Sequence, residues 1–243
     1  MLEGLKRLFS GAPAAARGWE GLAPWAQAKQ YTYREVRESD GFIVEGRLGA
    51  LPWRLEWGPS QRAYVQGKEL RLRAELGLSS DLQVVLMNRR LQEQMEKAVF
   101  DQYVEGVQTR IDNETPPEMR WLVMFPKLGA NEMGVLRERY VALGSIKTWL
   151  MQWLEGPLSA TLAALVLPPD QPLVLMISRG RLTMRTALAE PDPRDLEPRL
   201  RLFEGAMREA KRVAGSQNPD AGAPSTHPSL WASPSDLPPE DSR

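Results

Sequence analysis

The chain has 243 residues, no cysteine and one histidine. Without cysteine there is no disulfide framework, no thiolate chemistry and no Cys-based zinc cluster. The histidine is His227, set among Pro224, Ser225, Pro228 and Ser229, so residues 1 to 215 contain neither residue type. Serine or cysteine nucleophiles activated by imidazole, and the His-Glu-x-x-His metal site, need an imidazole fixed in a packed scaffold. The expected packed part of this chain has none. Catalysis there is confined to carboxylates, lysine, tyrosine, serine and backbone amides: carboxylate acid/base work, a Ser-Lys pair or an oxygen-ligated magnesium site.

Other absences narrow the field further. The N-terminal run Met1 to Phe9 is interrupted by Glu3, Lys6 and Arg7, unlike a signal peptide, and no window holds about 18 apolar residues free of charge. A soluble protein resident in the cytoplasm is therefore expected. No Gly-x-Gly-x-x-Gly, phosphate loop or EF-hand loop occurs, and no Asp-x-Asp pair suggests magnesium. No cofactor or metal is expected.

The 31 basic and 31 acidic side chains balance, but not evenly along the chain. The last 28 residues carry −3, from Asp220, Asp236, Glu240 and Asp241 against Arg243, which leaves the rest at +3. That is too little for the concentrated basic face nucleic acid calls for. Of the basic residues, 24 are arginine and 7 lysine. Arginine's planar fork suits bidentate anion recognition, although GC-rich coding produces the same ratio with no function attached.

Along the chain, residues 1 to 30 read as an arm. Leu2, Leu5, Leu8 and Phe9 share one side of a short helix, and a Gly/Ala/Pro stretch leads to Trp19, Leu22 and Trp25. Such a helix must dock, either on its own domain or, through residues 2 to 9, on a membrane surface. From Tyr31 to Asn88 the period is two. Trp53, Leu55 and Trp57 alternate with Arg54 and Glu56, and Leu70, Leu72, Ala74 and Leu76 with Glu69, Arg71, Arg73 and Glu75. Strands with one wet face alternate in this way, and the short Gly-containing turns between them favour an antiparallel meander.

The period then becomes helical from Arg89 to about Glu105, through Leu91, Met95, Ala98, Val99 and Tyr103. Trp121 to Phe125 reads as a buried strand, Val135, Leu136, Tyr140 and Leu143 as the inner face of a helix, and Ile146, Trp149, Leu150 and Trp153 as that of the next. Leu158 to Leu167 is a short helix opened by Pro157. Leu173 to Ile177 and Leu182 to Leu188 form a hairpin about Arg179-Gly180, and Asp192-Pro193 opens a last helix. Past Gly215, six prolines and few apolar residues predict disorder. The expected class is α+β: an antiparallel sheet in the first half, then helices, a C-terminal hairpin and a helix. The organisation is an arm (1–30), a body (31–215) with candidate sub-lobes 31–106 and 107–215, and an acidic tail (216–243). Residues 67–76 echo 180–188, a hint of an internal repeat that would give two similar lobes with a groove between them.

Three groups of candidate functional residues emerge. The stiff segment around Pro116-Pro117 presents Glu114, Glu118 and Arg120, with Arg110 and Asp112 upstream. These are the residues an enzyme acting on an anionic substrate would use, or else ion pairs fixing a rigid strand entry. For a binding surface the candidates are Trp53 and Trp57 on one strand face and Arg54, Arg71, Arg73, Arg181 and Arg185 on wet strand faces, with Glu56, Glu69 and Glu75 neutralising much of the field. Leu230 and Trp231 form an apolar anchor in the tail that can serve as a docking motif. The reading favoured is a non-catalytic interaction or adaptor module with a protein partner. The alternatives are a carboxylate/arginine enzyme or binder of an anionic small molecule, and a peripheral membrane protein.

Overall fold

The computed structural model describes residues 19, 21–36, 40–104, 115–168 and 170–217. Eight strands form one antiparallel sheet in the order β1-β2-β3-β4-β8-β7-β5-β6. The strands are β1 (Thr32–Val36), β2 (Gly41–Leu48), β3 (Leu51–Pro59), β4 (Lys68–Glu75), β5 (Val84–Asn88), β6 (Tyr140–Gly144), β7 (Leu173–Ser178) and β8 (Arg181–Ala187). The helices are α1 (Leu22–Ala28), α2 (Arg89–Val104), α3 (Pro117–Met124), α4 (Ala130–Met133), α5 (Lys147–Leu154), α6 (Pro157–Ala164) and α7 (Pro193–Gln217). The class is α+β, with the sheet begun in the first half and a hairpin and helix at the C-terminal end.

Register explains why the sequence alternates. One transverse row crosses all eight strands through Tyr33, Val44, Leu55, Leu72, Met184, Leu175, Leu86 and Ala142. From Val44 onward it lies in the main core, with apolar residues of α1, α5, α6 and α7. The next row on the opposite face runs Arg34, Ile43, Glu56, Arg71, Arg185, Val174, Met87 and Val141. It changes from polar to apolar where Val174, Met87 and their neighbours meet Leu91 and Met95 of α2 and Trp121 and Leu122 of α3 in a second core. Two helices thus cover half of this face. Among the described residues, no helix covers the β1 to β4 and β8 half.

Strands of both candidate sub-lobes, 31–106 and 107–215, enter this sheet. The echoing segments become neighbours: β4 pairs with β8, so a hydrogen-bonded ladder rather than a groove lies where the two similar strands meet. The β7–β8 turn has Arg179 at φ 52° and Gly180 at φ 75°, the two left-handed residues of a tight type I′ turn. Part of the expected arm belongs to the body, since Leu22 and Ala26 of α1 are fully buried.

Two segments differ from expectation. Residues 121–124 end a helix, not a strand. Pro117 fits the first helical turn, where its fixed φ is favourable and its missing N–H costs nothing. The inward stripe is Glu118, Trp121, Leu122 and Phe125, which the charged Glu118 disguises, while Val123 and Met124 point out. Residues 140–144 are a strand, not a helix. All five are buried because β6 is packed on both faces, so no alternation marks it.

Candidate functional site

The uncovered half of the sheet concentrates arginine. By register its face carries Arg34, Arg47, Arg54, Arg71, Arg73, Arg181 and Arg185 against Glu45, Glu56, Glu69 and Glu75, a net charge of +3. Period-two strands aim these side chains to one side while Trp53, Leu55, Trp57, Leu70 and Leu72 go to the other. Glu56 is the hub of the outer part. One of its carboxylate oxygens accepts from Arg54 Nε at 2.6 Å and Arg73 Nη2 at 2.9 Å, and the other from Arg71 Nη2 at 3.3 Å. Burial alone would raise its pKa, but Arg73, Arg54 and Arg71 together hold it below the usual carboxylate value. Glu69, fully buried, accepts from Arg185 Nη1 at 2.6 Å, Arg71 Nη1 at 3.1 Å and the Gln61 amide at 2.8 Å. Glu45 adds a bond from Arg54 at 3.0 Å and Glu75 one from Arg181 at 2.5 Å.

The network fixes the arginines without cancelling them. Arg73 and Arg181 remain about half exposed, and Arg34 and Arg47 are exposed near the edge. Two depressions of about 640 and 350 Å³ adjoin along this face and share Arg54 in their walls. Chemically, such a face offers guanidinium forks to carboxylates or phosphates.

The Pro116-Pro117 candidates resolve differently. Glu118 is fully buried, and its Oε1 accepts from Arg62 Nε and from the Tyr64 hydroxyl, each at 2.6 Å. Burial first, and then the Glu118 charge, push the Tyr64 pKa upward, so the phenol stays a donor. Arg62 is held above its usual value because Glu118 outweighs the effect of burial. The arrangement ties the loop between β3 and β4 to α3, and Glu118 lines neither depression. Its Oε2 and the Nε of Arg120 are buried without hydrogen-bond partners. Asp112 and Glu114, with Arg110, lie outside the described residues, as do Leu230 and Trp231. No group of three or more His, Cys, Asp or Glu residues suited to a metal ion occurs among the described residues.

Trp53 and Trp57 are not brought to the arginines. They are 2% and 4% exposed on the core face, where Trp57 stacks on Phe42 at 5.6 Å and Trp53 meets the edge of Tyr31 at 4.8 Å. Trp57 Nε1 also donates to the Leu188 carbonyl at 2.7 Å. Trp149 and Trp153 are buried as well. Sequence reasoning did not single out Arg34, Arg47, Arg62 or Tyr64 as site residues. The first two had a signal in strand parity; the other two sit in a loop, and only the fold reveals their partner. No protein-family model, no curated protein and no solved structure matches the chain.

Proposed function

We propose that the protein is a non-catalytic interaction or adaptor module of the cytoplasm, and that the uncovered arginine face of the sheet receives an acidic surface of a protein partner. One observation carries the reading: on the half-face that no described helix covers, seven arginines stand against four glutamates, with Arg71 and Arg185 mostly buried on Glu69 and Arg34, Arg47, Arg73 and Arg181 reaching solvent. Guanidinium groups held in place by glutamates lose less side-chain entropy on binding than free ones, which favours recognition over general stickiness. Complementary charge acts mainly on specificity and association rate, so binding should weaken with salt.

The test is a pull-down with full-length protein against one carrying R47E and R73E, two exposed positions whose reversal leaves the buried hub of Glu69 intact. Circular dichroism establishes that both fold. Partners recovered by the wild type at low salt should be lost from the variant and reduced at high salt. Equal recovery by both proteins overturns the reading.

A further inference from the structure

A second feature lies apart from the arginine face. Beside the connection from β8 to α7 is a cavity of about 730 Å³, within the range of small-molecule sites. Val166, Pro168, Asp170, Gln171 and Pro172, residues 187–190, Tyr64, Gln66, two side chains of α2 and the first turns of α7 line it. Arg199 of α7 lines it, and its side chain is only 8% exposed. Its Nη1 donates to the Asp195 carbonyl at 2.5 Å, while the nearest carboxylate oxygen, of exposed Asp195, is 3.7 Å away. Nε is buried with no hydrogen-bond partner among the described residues. Arg62, Arg71 and Arg185 each hold a carboxylate within 3.1 Å, whereas the more deeply buried Arg199 has only Asp195, at 3.7 Å. Burial lowers its pKa despite Asp195, the mark of a cation with too little compensation.

We propose that this cavity binds a small amino-carboxylate, with Arg199 as the carboxylate anchor. A monocarboxylate on the cavity side of the guanidinium supplies a counter-charge closer than Asp195. The rest of the wall selects against a dianion. Arg90 is engaged by Asp170 at 2.6 Å, and Glu190 is an exposed carboxylate of the same wall. Glu190 therefore offers a place for an ammonium group, and phosphate would face Asp195 and Glu190 together. Leu188 and Pro172 supply the apolar wall for a side chain.

The test uses arginine Nε–H signals of the full-length protein in ¹⁵N NMR, with the Arg199 signal assigned from R199K. Leucine, glycine, acetate and inorganic phosphate are the probes. Leucine should shift the Arg199 signal saturably with a midpoint near 1 mM or below, while acetate and phosphate should require about tenfold more. The E190Q variant, altered at an exposed position, should bind leucine more weakly and acetate unchanged. An Arg199 signal unmoved by leucine and glycine at about 10 mM overturns the proposal, as does phosphate acting as strongly as leucine.

Discussion

At the scale of single residues, two arginine-bound glutamates do different work. Glu118 holds Arg62 and Tyr64 on one oxygen, in full burial, across a loop and a helix far apart in sequence. Removing one member of such a pair leaves an uncompensated charge rather than merely losing an attraction. E118Q should therefore cost about 3 kcal/mol, the low end for a buried pair because Arg62 is one-fifth exposed, whereas Y64F, which removes one bond to a charged acceptor, should cost about 2 kcal/mol. Urea unfolding at neutral pH measures both, and a loss under about 1 kcal/mol for E118Q would reject the latch. Glu56 instead gives a pH signature. Its folded pKa lies below the 4.5 of a free carboxylate, so its stabilisation is complete above that value and is lost as pH falls through the folded pKa. The difference in urea midpoint between wild type and E56Q should be full at neutral pH and shrink below about pH 4.5. A difference that stays constant into acid would show that the arginines do not act on Glu56 as charges.

At the scale of elements, glycine separates packing from propensity. Gly46 in β2 faces Trp53, whose ring lies 2.3 Å from where a Cβ would sit, so G46A must displace the indole and should cost at least 1 kcal/mol. Gly205 in α7 has nothing within 4 Å of that position, and G205A should add about 0.5–1 kcal/mol by improving the helix. Thermal unfolding of both variants checks the opposite signs. The same contrast explains what could be read before the fold was known. The strands β3, β4 and β8 are wet on one face, so their alternation shows in sequence; β6 is dry on both and looks like any apolar run. Helix α3 hides its stripe behind Glu118, a carboxylate that belongs inside only because Arg62 and Tyr64 meet it there. Of the candidate site, parity placed Arg54, Arg71, Arg73, Arg181 and Arg185 on wet faces. That these faces are one face depends on β4 pairing with β8, which is register and not local pattern.

At the scale of the whole molecule, the seam between β4 and β8 decides whether the chain behaves as one unit or two. It joins residues 68–75 to 181–187, and it lies mid-sheet between the β1–β4 meander and the strands β7, β5 and β6. Were the candidate sub-lobes 31–106 and 107–215 independent, each would need its own core. Instead one cluster takes Leu55 and Leu72 from the first, Met184 and Leu175 from the second, and Leu200, Phe203 and Met207 from α7. Helix α7 also lies against α5, α6 and β4, so its release would expose apolar surface of both halves at once. Unfolding should accordingly be a single transition. Tryptophan reports on it from both halves, with Trp53 and Trp57 in one and Trp149 and Trp153 in the other, while far-ultraviolet circular dichroism reports on the backbone. The two probes should give coincident urea curves. L72A, at a fully buried position in the central row, should move both curves together by about 3 kcal/mol, since the cavity it leaves weakens the seam that both halves share. Separate transitions, or an L72A shift confined to one probe, would mean that the two halves fold on their own and that the seam is only a contact between them.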